Sequence, residues 1–146
     1  MEANKIIITG GATRIGAAIA RKLSGEGVEI VIHYNKSKAK AEKLKKELSS
    51  NGTKVYLIKG DLSVESDVNK IVKFAKSKLK YFDCLINNAS LFENDKLENF
   101  NTDSWGQHLR TNLRTPALLS KEFAKNIKSK TVSYTHLTLP TKPKVG

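Results

Sequence analysis

The sequence predicts an α/β fold: a doubly wound parallel sheet, truncated after its fourth strand and the long helix that follows it. Apolar runs of strand length alternate with longer stretches of helical period along the 146 residues, as expected for successive βαβ units. A glycine-rich turn also joins the first apolar run to the first helical stretch, as at the ligand-binding edge of such sheets. The length suits one domain with a buried core.

Four strands are predicted, and each is followed by a helix with one apolar face. The strands are residues 5–9, 28–33, 54–59 and 84–87. The apolar residues at helical spacing between the strands are Ile15, Ala18, Ile19, Leu23, Ala41, Leu44, Leu48, Val68, Ile71, Val72, Ala75 and Leu79. Gly25 and Gly27 end the first helix, and Gly52 ends the second. These strands would form the first half, and a little more, of a sheet whose usual strand order is 3-2-1-4-5-6.

The long helix after the fourth strand is predicted to begin near Thr102 and Asp103, which are suitable capping residues. The residues expected to face inward are Trp105, Leu109, Leu113, Phe123 and Ile127, because they recur at helical spacing. Asn112 is expected on the same face, where a buried amide requires hydrogen-bond partners.

Composition and charge limit the classes of protein to consider. The formal net charge is +12, but the excess is mostly lysine along helical segments such as 36–46, which indicates a solvated basic surface. Specific nucleic-acid binding is the alternative, and anionic small ligands are favoured in either case. No apolar run approaches the ~20 residues of a membrane helix, and no secretory signal precedes the first strand. We therefore expect a cytoplasmic protein that binds neither nucleic acid nor membranes.

Cys84 is the only cysteine in the sequence, so it cannot form an internal disulfide. Because it lies among apolar residues, we expect a buried core thiol rather than a catalytic one. No metal site is predicted.

The turn after the first strand has the composition of a phosphate-binding loop. It reads Thr9-Gly10-Gly11-Ala12-Thr13-Arg14-Ile15-Gly16, between a buried strand and a helix. Glycines allow the backbone to turn tightly and approach a pyrophosphate, while the helix N-terminus offers free N–H groups. This context predicts a dinucleotide site, and a purely structural glycine turn is the alternative.

The end of the second strand indicates which dinucleotide is bound. An NAD site usually places Asp or Glu there to accept hydrogen bonds from the ribose. This chain reads His33-Tyr34-Asn35-Lys36-Ser37 instead. With no acid, and with a cation and a hydroxyl for a 2′-phosphate, the segment favours NADP(H). The alternative is a basic helix start that contacts nothing.

Four motifs in order resemble the short-chain dehydrogenase/reductase superfamily. They are the turn 9–16, Asp61-Leu62 after the third strand, Asn87-Asn88-Ala89-Ser90 after the fourth, and Asn112 in the long helix. The resemblance covers about residues 5 to 129 and implies a Rossmann-type NADP(H)-binding domain over residues 1–130. It also implies an oxidoreductase that transfers hydride to a small-molecule substrate. The cofactor-binding residues it implies are Gly10, Arg14, Ile15, Gly16, His33, Tyr34, Asn35, Lys36, Ser37, Asp61, Leu62, Asn88, Ala89 and Ser90.

Two departures from the common superfamily motifs indicate a branch. Arg14 and Ser90 stand where glycine is usual. With His33-Tyr34 and Phe92, they resemble the pteridine reductase and dihydromonapterin reductase branch. The resemblance implies that Arg14 contacts the cofactor phosphates, that Ser90 lies near cofactor and pterin, and that Phe92 stacks on the pterin ring. Such stacking contributes about 0.5–1.5 kcal/mol beyond area burial. Another carbonyl or imine substrate, with Phe92 an ordinary aromatic, is the alternative.

Catalysis in this superfamily resembles general-acid reduction by a Tyr, whose pKa is lowered by a Lys four residues later. Only Tyr34 and Lys38 match that spacing, and they lie where the cofactor ribose is expected, so we interpret the match as coincidence. Tyr134 is followed four residues later by Thr138. Asn112 is the one catalytic residue the resemblance places here, holding a water that relays protons to the Lys. A structural Asn bonded to a neighbouring helix backbone is the alternative.

The last residues, 131–146, have neither helical nor strand pattern. Residues 132–141 are similar to one reading frame of a transposase adapter used in sequencing libraries, so we expect a non-native or disordered tail and an interruption near Lys130. Three functions follow: an NADPH-dependent reductase, an inactive dinucleotide-binding fragment, and, from net charge alone, a nucleic-acid-binding protein. The resemblance also implies that the intact protein is a homo-oligomer assembled through the long helix and its neighbour.

Overall fold

The computed structural model describes residues 4–92, 98 and 101–127. Strands and helices alternate along this part of the chain. In order, the elements are β1 (Lys5–Ile8), α1 (Arg14–Leu23), β2 (Glu29–Tyr34), α2 (Lys38–Ser49), β3 (Lys54–Lys59), α3 (Glu65–Leu79), β4 (Cys84–Ile86), α4 (Thr102–Leu109), a π-helical segment (Arg110–Arg114) and α5 (Thr115–Ala124). The predicted tail, residues 131–146, lies outside the described residues.

The four strands form one parallel sheet in the order β3-β2-β1-β4. This confirms the predicted doubly wound arrangement, in which the chain runs outward from β1 to β3 and then crosses back to place β4 on the other side. The predicted bounds are right for β3 and within one residue for the other strands. The crossover creates a switch point between β1 and β4, where ligands bind in open α/β sheets.

Both faces of the sheet are buried, because side chains alternate along each strand and helices cover both sides. One apolar cluster lies under α1 and α2; its buried strand residues are Ile6, Ile8, Ile30, Ile32, Tyr34 and Val55. The other lies under α3 and α5; its strand residues are Ile7, Val31, Ile58 and Leu85. The central strands β1 and β2 are therefore nearly continuous apolar runs, as the sequence indicates.

The buried face of α1 differs from the predicted one. Ile15 is 70% exposed and Ala18 is also exposed, whereas Gly16, Ala17 and Ala20 are buried against the sheet. The reason is steric: small side chains allow the helix to approach the turn and strand closely, so the largest apolar residue of its first turn remains outside.

The long helix also differs from the prediction. Trp105, Leu109 and Leu113 are 53%, 43% and 61% exposed, while Phe123 is buried and stacks on Phe82 with ring centroids 6.1 Å apart. The π-helical segment explains the difference, because its wider turn shifts the helical phase and one apolar stripe cannot continue through it. The outward position of Ile127 is a further departure from prediction.

The N-cap of α4 is Asn101 rather than Thr102 or Asp103. Its side-chain oxygen accepts a hydrogen bond from the Ser104 backbone N–H at 2.8 Å, which satisfies one of the free N–H groups of the first turn. The helix begins at Thr102, as predicted, but its capping residue is Asn101, one position earlier.

The cysteine, possible membrane spans and possible metal sites were also considered in the sequence. Cys84 is only partly buried, and burial raises the pKa of its thiol. Among the described residues, no helix is long and apolar enough to cross a bilayer. Over the same part of the chain, no group of three or more His, Cys, Asp or Glu side chains is arranged to hold a metal ion.

Candidate functional site

The ends of all four strands bring the sequence motifs to one edge of the sheet. The glycine-rich turn follows β1, Asn35 and Lys36 follow β2, Asp61 follows β3, and Asn88 follows β4. Because the strands are parallel, these segments are neighbours in space although they are far apart in sequence. This edge, next to the switch point, is the candidate site.

The turn after β1 packs tightly against the first turn of α1. Gly10 has a φ of +61°, which suits glycine, and Arg14 at the start of α1 has a φ of +50°. A Cβ atom on Gly16 would lie 2.3 Å from the Gly10 carbonyl oxygen and 2.6 Å from Asn88 Nδ2. Only glycine fits at position 16, and the resulting close approach points the start of α1 toward the site.

The end of β4 holds this turn in place. Thr9 Oγ1 accepts hydrogen bonds from the backbone N–H groups of Asn88 and Ala89, each at 3.1 Å. Asn88 Nδ2 in turn donates to the carbonyl oxygens of Thr9 at 3.0 Å and Gly10 at 3.1 Å. The predicted residues Asn88 and Ala89 therefore hold the turn from the β4 side.

His33 supports the turn from the other side. The side chain is buried, at 2% exposure. Its Nδ1 accepts a hydrogen bond from the Gly10 N–H at 3.1 Å, and its Nε2 lies 3.0 Å from the Gly60 carbonyl oxygen. Burial lowers the pKa of His33. Both ring nitrogens are thus engaged by backbone.

A cavity of about 200 Å³ opens between the ends of β2, β3 and β4. Its lining residues are His33, Asn35, Lys36, Asp61, Leu62, Ser63, Ala89, Ser90, Leu91, Gln107 and Thr111. Six of these were predicted as cofactor-binding residues in addition to His33. Ser63, Leu91, Gln107 and Thr111 were not predicted. Gln107 and Thr111 are four residues apart and precede Asn112, so they lie on one helix face. This spacing is the sequence feature from which they could have been predicted.

Asp61 is the acidic group of this cavity. Its Oδ1 accepts hydrogen bonds from the Ser63 backbone N–H at 2.9 Å and the Ser63 hydroxyl at 2.7 Å. The backbone bond and then the hydroxyl bond hold the pKa of the Asp61 carboxyl below its usual range. The carboxylate is therefore charged at neutral pH, beside Asn35 and Lys36.

The remaining predicted residues lie apart from this cavity. Arg14 lines a second cavity of about 230 Å³ between α1 and α2, together with Arg21, Lys40 and Lys43. Tyr34 is buried, Ile15 is exposed, and Ser37 is the N-cap residue of α2 without a side-chain capping bond. Phe92 is 60% exposed. The structure therefore brings the β2, β3 and β4 motifs together but not Arg14 or Ile15.

Asn112 lies in the π-helical segment and binds the loop after β4. Its Oδ1 accepts from the Leu91 backbone N–H and its Nδ2 donates to the Leu91 carbonyl oxygen, both at 2.8 Å. These bonds are similar to the alternative of a structural Asn bonded to a helix backbone, except that the partner is the backbone of a loop. The bonds fix Leu91 beside Ser90. The water-relay role of Asn112 stays a prediction.

Replacing Asn112 by Leu is expected to lower the free energy of unfolding by about 1–3 kcal/mol, because it leaves the Leu91 N–H and C=O without these partners. Asn112→Asp is expected to be at least as harmful, since a carboxylate oxygen would face the Leu91 carbonyl. Urea unfolding measures both. Asn69→Leu, on the exposed face of α3, is the control, and equal midpoints for the Asn112 and Asn69 variants would contradict the role.

Comparison with known proteins gives the family. The short chain dehydrogenase family profile matches residues 4–133. The short-chain dehydrogenase/reductase FrzI of Cladobotryum sp is 33% identical over 113 residues, which is 77% of this chain and 44% of that protein. The chain thus spans less than half the length of this curated relative.

Two solved structures have the same fold over nearly the whole chain. FolM alternative dihydrofolate reductase 1 from Brucella canis, complexed with NADP, superimposes with a TM-score of 0.79 at 29% identity, covering 89% of this chain and 53% of that one. A short chain dehydrogenase from Burkholderia cenocepacia J2315, also in complex with NADP, gives a TM-score of 0.84 at 26% identity, covering 90% and 54%. The family profile, together with these similarities, shows that the chain belongs to the short-chain dehydrogenase family.

Proposed function

We propose that this chain is the cofactor-binding part of an NADPH-dependent reductase. The observation that carries the proposal is the cavity at the ends of β2 and β3, where Lys36 and Asn35 stand at the position of the acid that an NAD site uses. The bound NADP in two similar structures supports it. When bound, the cofactor would supply the hydride.

The residues present fit this cofactor. A Cβ on Gly10 would lie 3.0 Å from the Ala89 Cα, so glycine is needed for the turn to pack this closely against the end of β4, and glycine turns of this kind allow the backbone to approach a pyrophosphate. The N-terminus of α1 has no side-chain capping bond from Thr13 and can offer N–H groups to phosphate oxygens. Lys36 and Ser37 would hold the 2′-phosphate, with Arg14 on the pyrophosphate side.

Cofactor choice tests this proposal directly. We expect NADPH to bind at least roughly tenfold more tightly than NADH, because a charge-assisted hydrogen bond contributes about 1.5–3 kcal/mol. Asn35→Asp should reverse or reduce this preference, since its carboxylate repels a 2′-phosphate and accepts from a ribose hydroxyl. Fluorescence titration of both nucleotides measures it.

The control for charge is Asn69→Asp, which makes the same change on the exposed face of α3 and should leave the preference as it was. Equal affinity of the unaltered protein for NADPH and NADH would overturn the proposed cofactor choice.

For the substrate we propose a pteridine-like molecule, with another carbonyl or imine as the second candidate. The similarity to a protein named as a dihydrofolate reductase supports the first. Ser90 and Phe92 are both exposed beside the site, so the ring of Phe92 is available for stacking on a flat ligand. Turnover of the longer protein with pterins and with simple ketones separates the two candidates.

We also propose that the intact protein is a homo-oligomer. The exposed side chains of Trp105, Leu109 and Leu113 lie at four-residue intervals on α4 and its continuation. Large apolar side chains that remain exposed in this way are typical of an interface. Sedimentation of the longer protein measures its oligomeric state.

A further inference from the structure

We propose that His33 is a positioning residue, which orients the cofactor-binding turn by holding the Gly10 amide and the Gly60 carbonyl at once. Its effect on cofactor affinity rests on the proposed function, whereas its effect on the turn does not. His33 itself need not touch the cofactor, because both of its ring nitrogens are engaged by backbone.

The two contacts require one tautomer of the imidazole. A carbonyl oxygen only accepts, so the nitrogen 3.0 Å from the Gly60 oxygen, Nε2, carries the proton. The Gly10 N–H only donates, so Nδ1, at 3.1 Å, offers its lone pair. The ring is neutral and cannot exchange its two nitrogens without losing both bonds.

The main chain of the same residue continues this attachment. The His33 carbonyl oxygen accepts from the Gly11 N–H at 3.1 Å, so side chain and backbone of His33 bind two consecutive amides of the turn. On the opposite side, Asn88 Nδ2 donates to the Gly10 carbonyl at 3.1 Å. Gly10 is thus fixed from both sides in its left-handed conformation. A flexible glycine fixed before binding has less freedom to lose when a ligand arrives.

The charged groups around the ring act in opposite directions. The Gly60 bond, then Asp61 after β3 and Asp67 in α3, favour a protonated ring, whereas Lys36 lines the same cavity and, as a cation, disfavours it. Desolvation is larger than the pull of the carboxylates and lowers the pKa of His33. Well above pH ~6.5 the ring is neutral in both folded and unfolded protein, so it gives no pH dependence there. As pH falls below that value the unfolded state takes up the proton first, and stability decreases until the folded pKa is passed.

Protonation of the folded protein removes the contact with the turn. Nδ1 then carries a proton that faces the Gly10 N–H, and two donors repel. We therefore expect the Gly10 amide to lose its partner as His33 titrates, in the absence of any cofactor.

Three variants separate the two contacts. In His33→Asn the amide oxygen takes the place of Nδ1 and keeps the Gly10 bond, whereas in His33→Gln the amide nitrogen takes the place of Nε2 and keeps the Gly60 bond. His33→Phe keeps the ring volume and neither bond. We expect His33→Asn to bind NADPH and NADH within about threefold of the unaltered protein, and His33→Gln and His33→Phe to bind both about tenfold more weakly, at the upper end of one hydrogen bond. The loss should be equal for the two nucleotides, because the turn would serve the pyrophosphate that they share.

A measurement on the unaltered, cofactor-free chain does not depend on how well the variants fold. The ¹⁵N and ¹H shifts of Gly10 are followed from about pH 8 downward until the His33 ring signals have titrated. The proposal is supported if the Gly10 amide shifts change over the same pH range as the His33 ring signals. It is overturned if the Gly10 amide shifts stay constant while His33 titrates. Undiminished binding by His33→Gln would also overturn it. If Gly10 follows His33 but neither nucleotide binds, the positioning role of His33 is supported and the proposed function is overturned instead.

Discussion

The 146-residue chain is expected to show no reductase turnover, whereas a longer gene product that includes a Tyr-x-x-x-Lys pair after β4 should be active. The only tyrosine after β4 is Tyr134, and the residue four positions later is Thr138. A missing general acid typically costs about 10²–10⁴-fold in rate. The measurement is NADPH oxidation with pterin substrates, made side by side on both proteins.

Nucleotide binding by the same two proteins is the control for this experiment. If the shorter chain binds NADPH and still fails to oxidise it, the missing proton donor explains the loss. Comparable turnover by both chains would show that the acid comes from the residues described here, with Tyr34 and Lys38 the first to test.

The shorter chain is also expected to be marginally stable. Within the part of the chain that the structure describes, β4 pairs with β1, no strand pairs with its second edge, and an isolated parallel bridge joins Phe82, just before β4, to Ile127. The apolar side chains of Trp105 and Leu113 are exposed in the long helix. Unpaired strand edges and apolar patches favour aggregation, and a less cooperative melt than that of the longer protein would be the observable sign.

Gly16→Ala is expected to have the largest effect of any single methyl group added to this chain. The new Cβ would lie 2.3 Å from the Gly10 carbonyl oxygen and 2.9 Å from the Gly11 Cα. Both are backbone atoms, so the turn must move. We expect a loss of about 1–3 kcal/mol in the free energy of unfolding, together with NADPH binding weakened at least roughly tenfold, because the displaced turn no longer fits a pyrophosphate.

Gly25→Ala is the matched control for Gly16→Ala. It makes the same chemical change at the other end of α1, where a Cβ would meet nothing within 4 Å, so stability should stay within about 0.5 kcal/mol. Urea unfolding and NADPH titration of both variants decide the matter. Indistinguishable results for the two variants would mean that the turn adapts to a side chain at position 16.

The strands and their order could be predicted because parallel strands covered on both faces are continuous apolar runs. The faces of the helices were harder to predict. Nothing in the spacing from Trp105 to Phe123 indicates the π-helical segment that changes the phase of the stripe. In α1 the choice of Gly16 and Ala17 for the buried face depends on how closely the helix approaches the turn, which is a tertiary property.

The candidate site was predicted in its parts but not in its connections. Asn35, Lys36 and Asp61 were recognised from their places after strands, and the structure brings them to one cavity. The bonds of His33 reach Gly10 and Gly60, 23 and 27 residues away. A single sequence carries no signal for such partners, so these two bonds of His33 could not be predicted, and its contact with the cofactor stays a prediction.

The position of β1 in the sheet has a consequence for the order of folding. Lys5 bonds Glu29, 24 residues away, on one side and the Asp83 carboxylate, 78 residues away, on the other. Pairings that close short loops form sooner than those that close long ones. During synthesis, β1, β2 and β3 can therefore assemble with α1 and α2 while β4 is still inside the ribosome. We therefore expect the Thr9–Asn88 bonds that complete the turn to form later, when β4 joins the free side of β1.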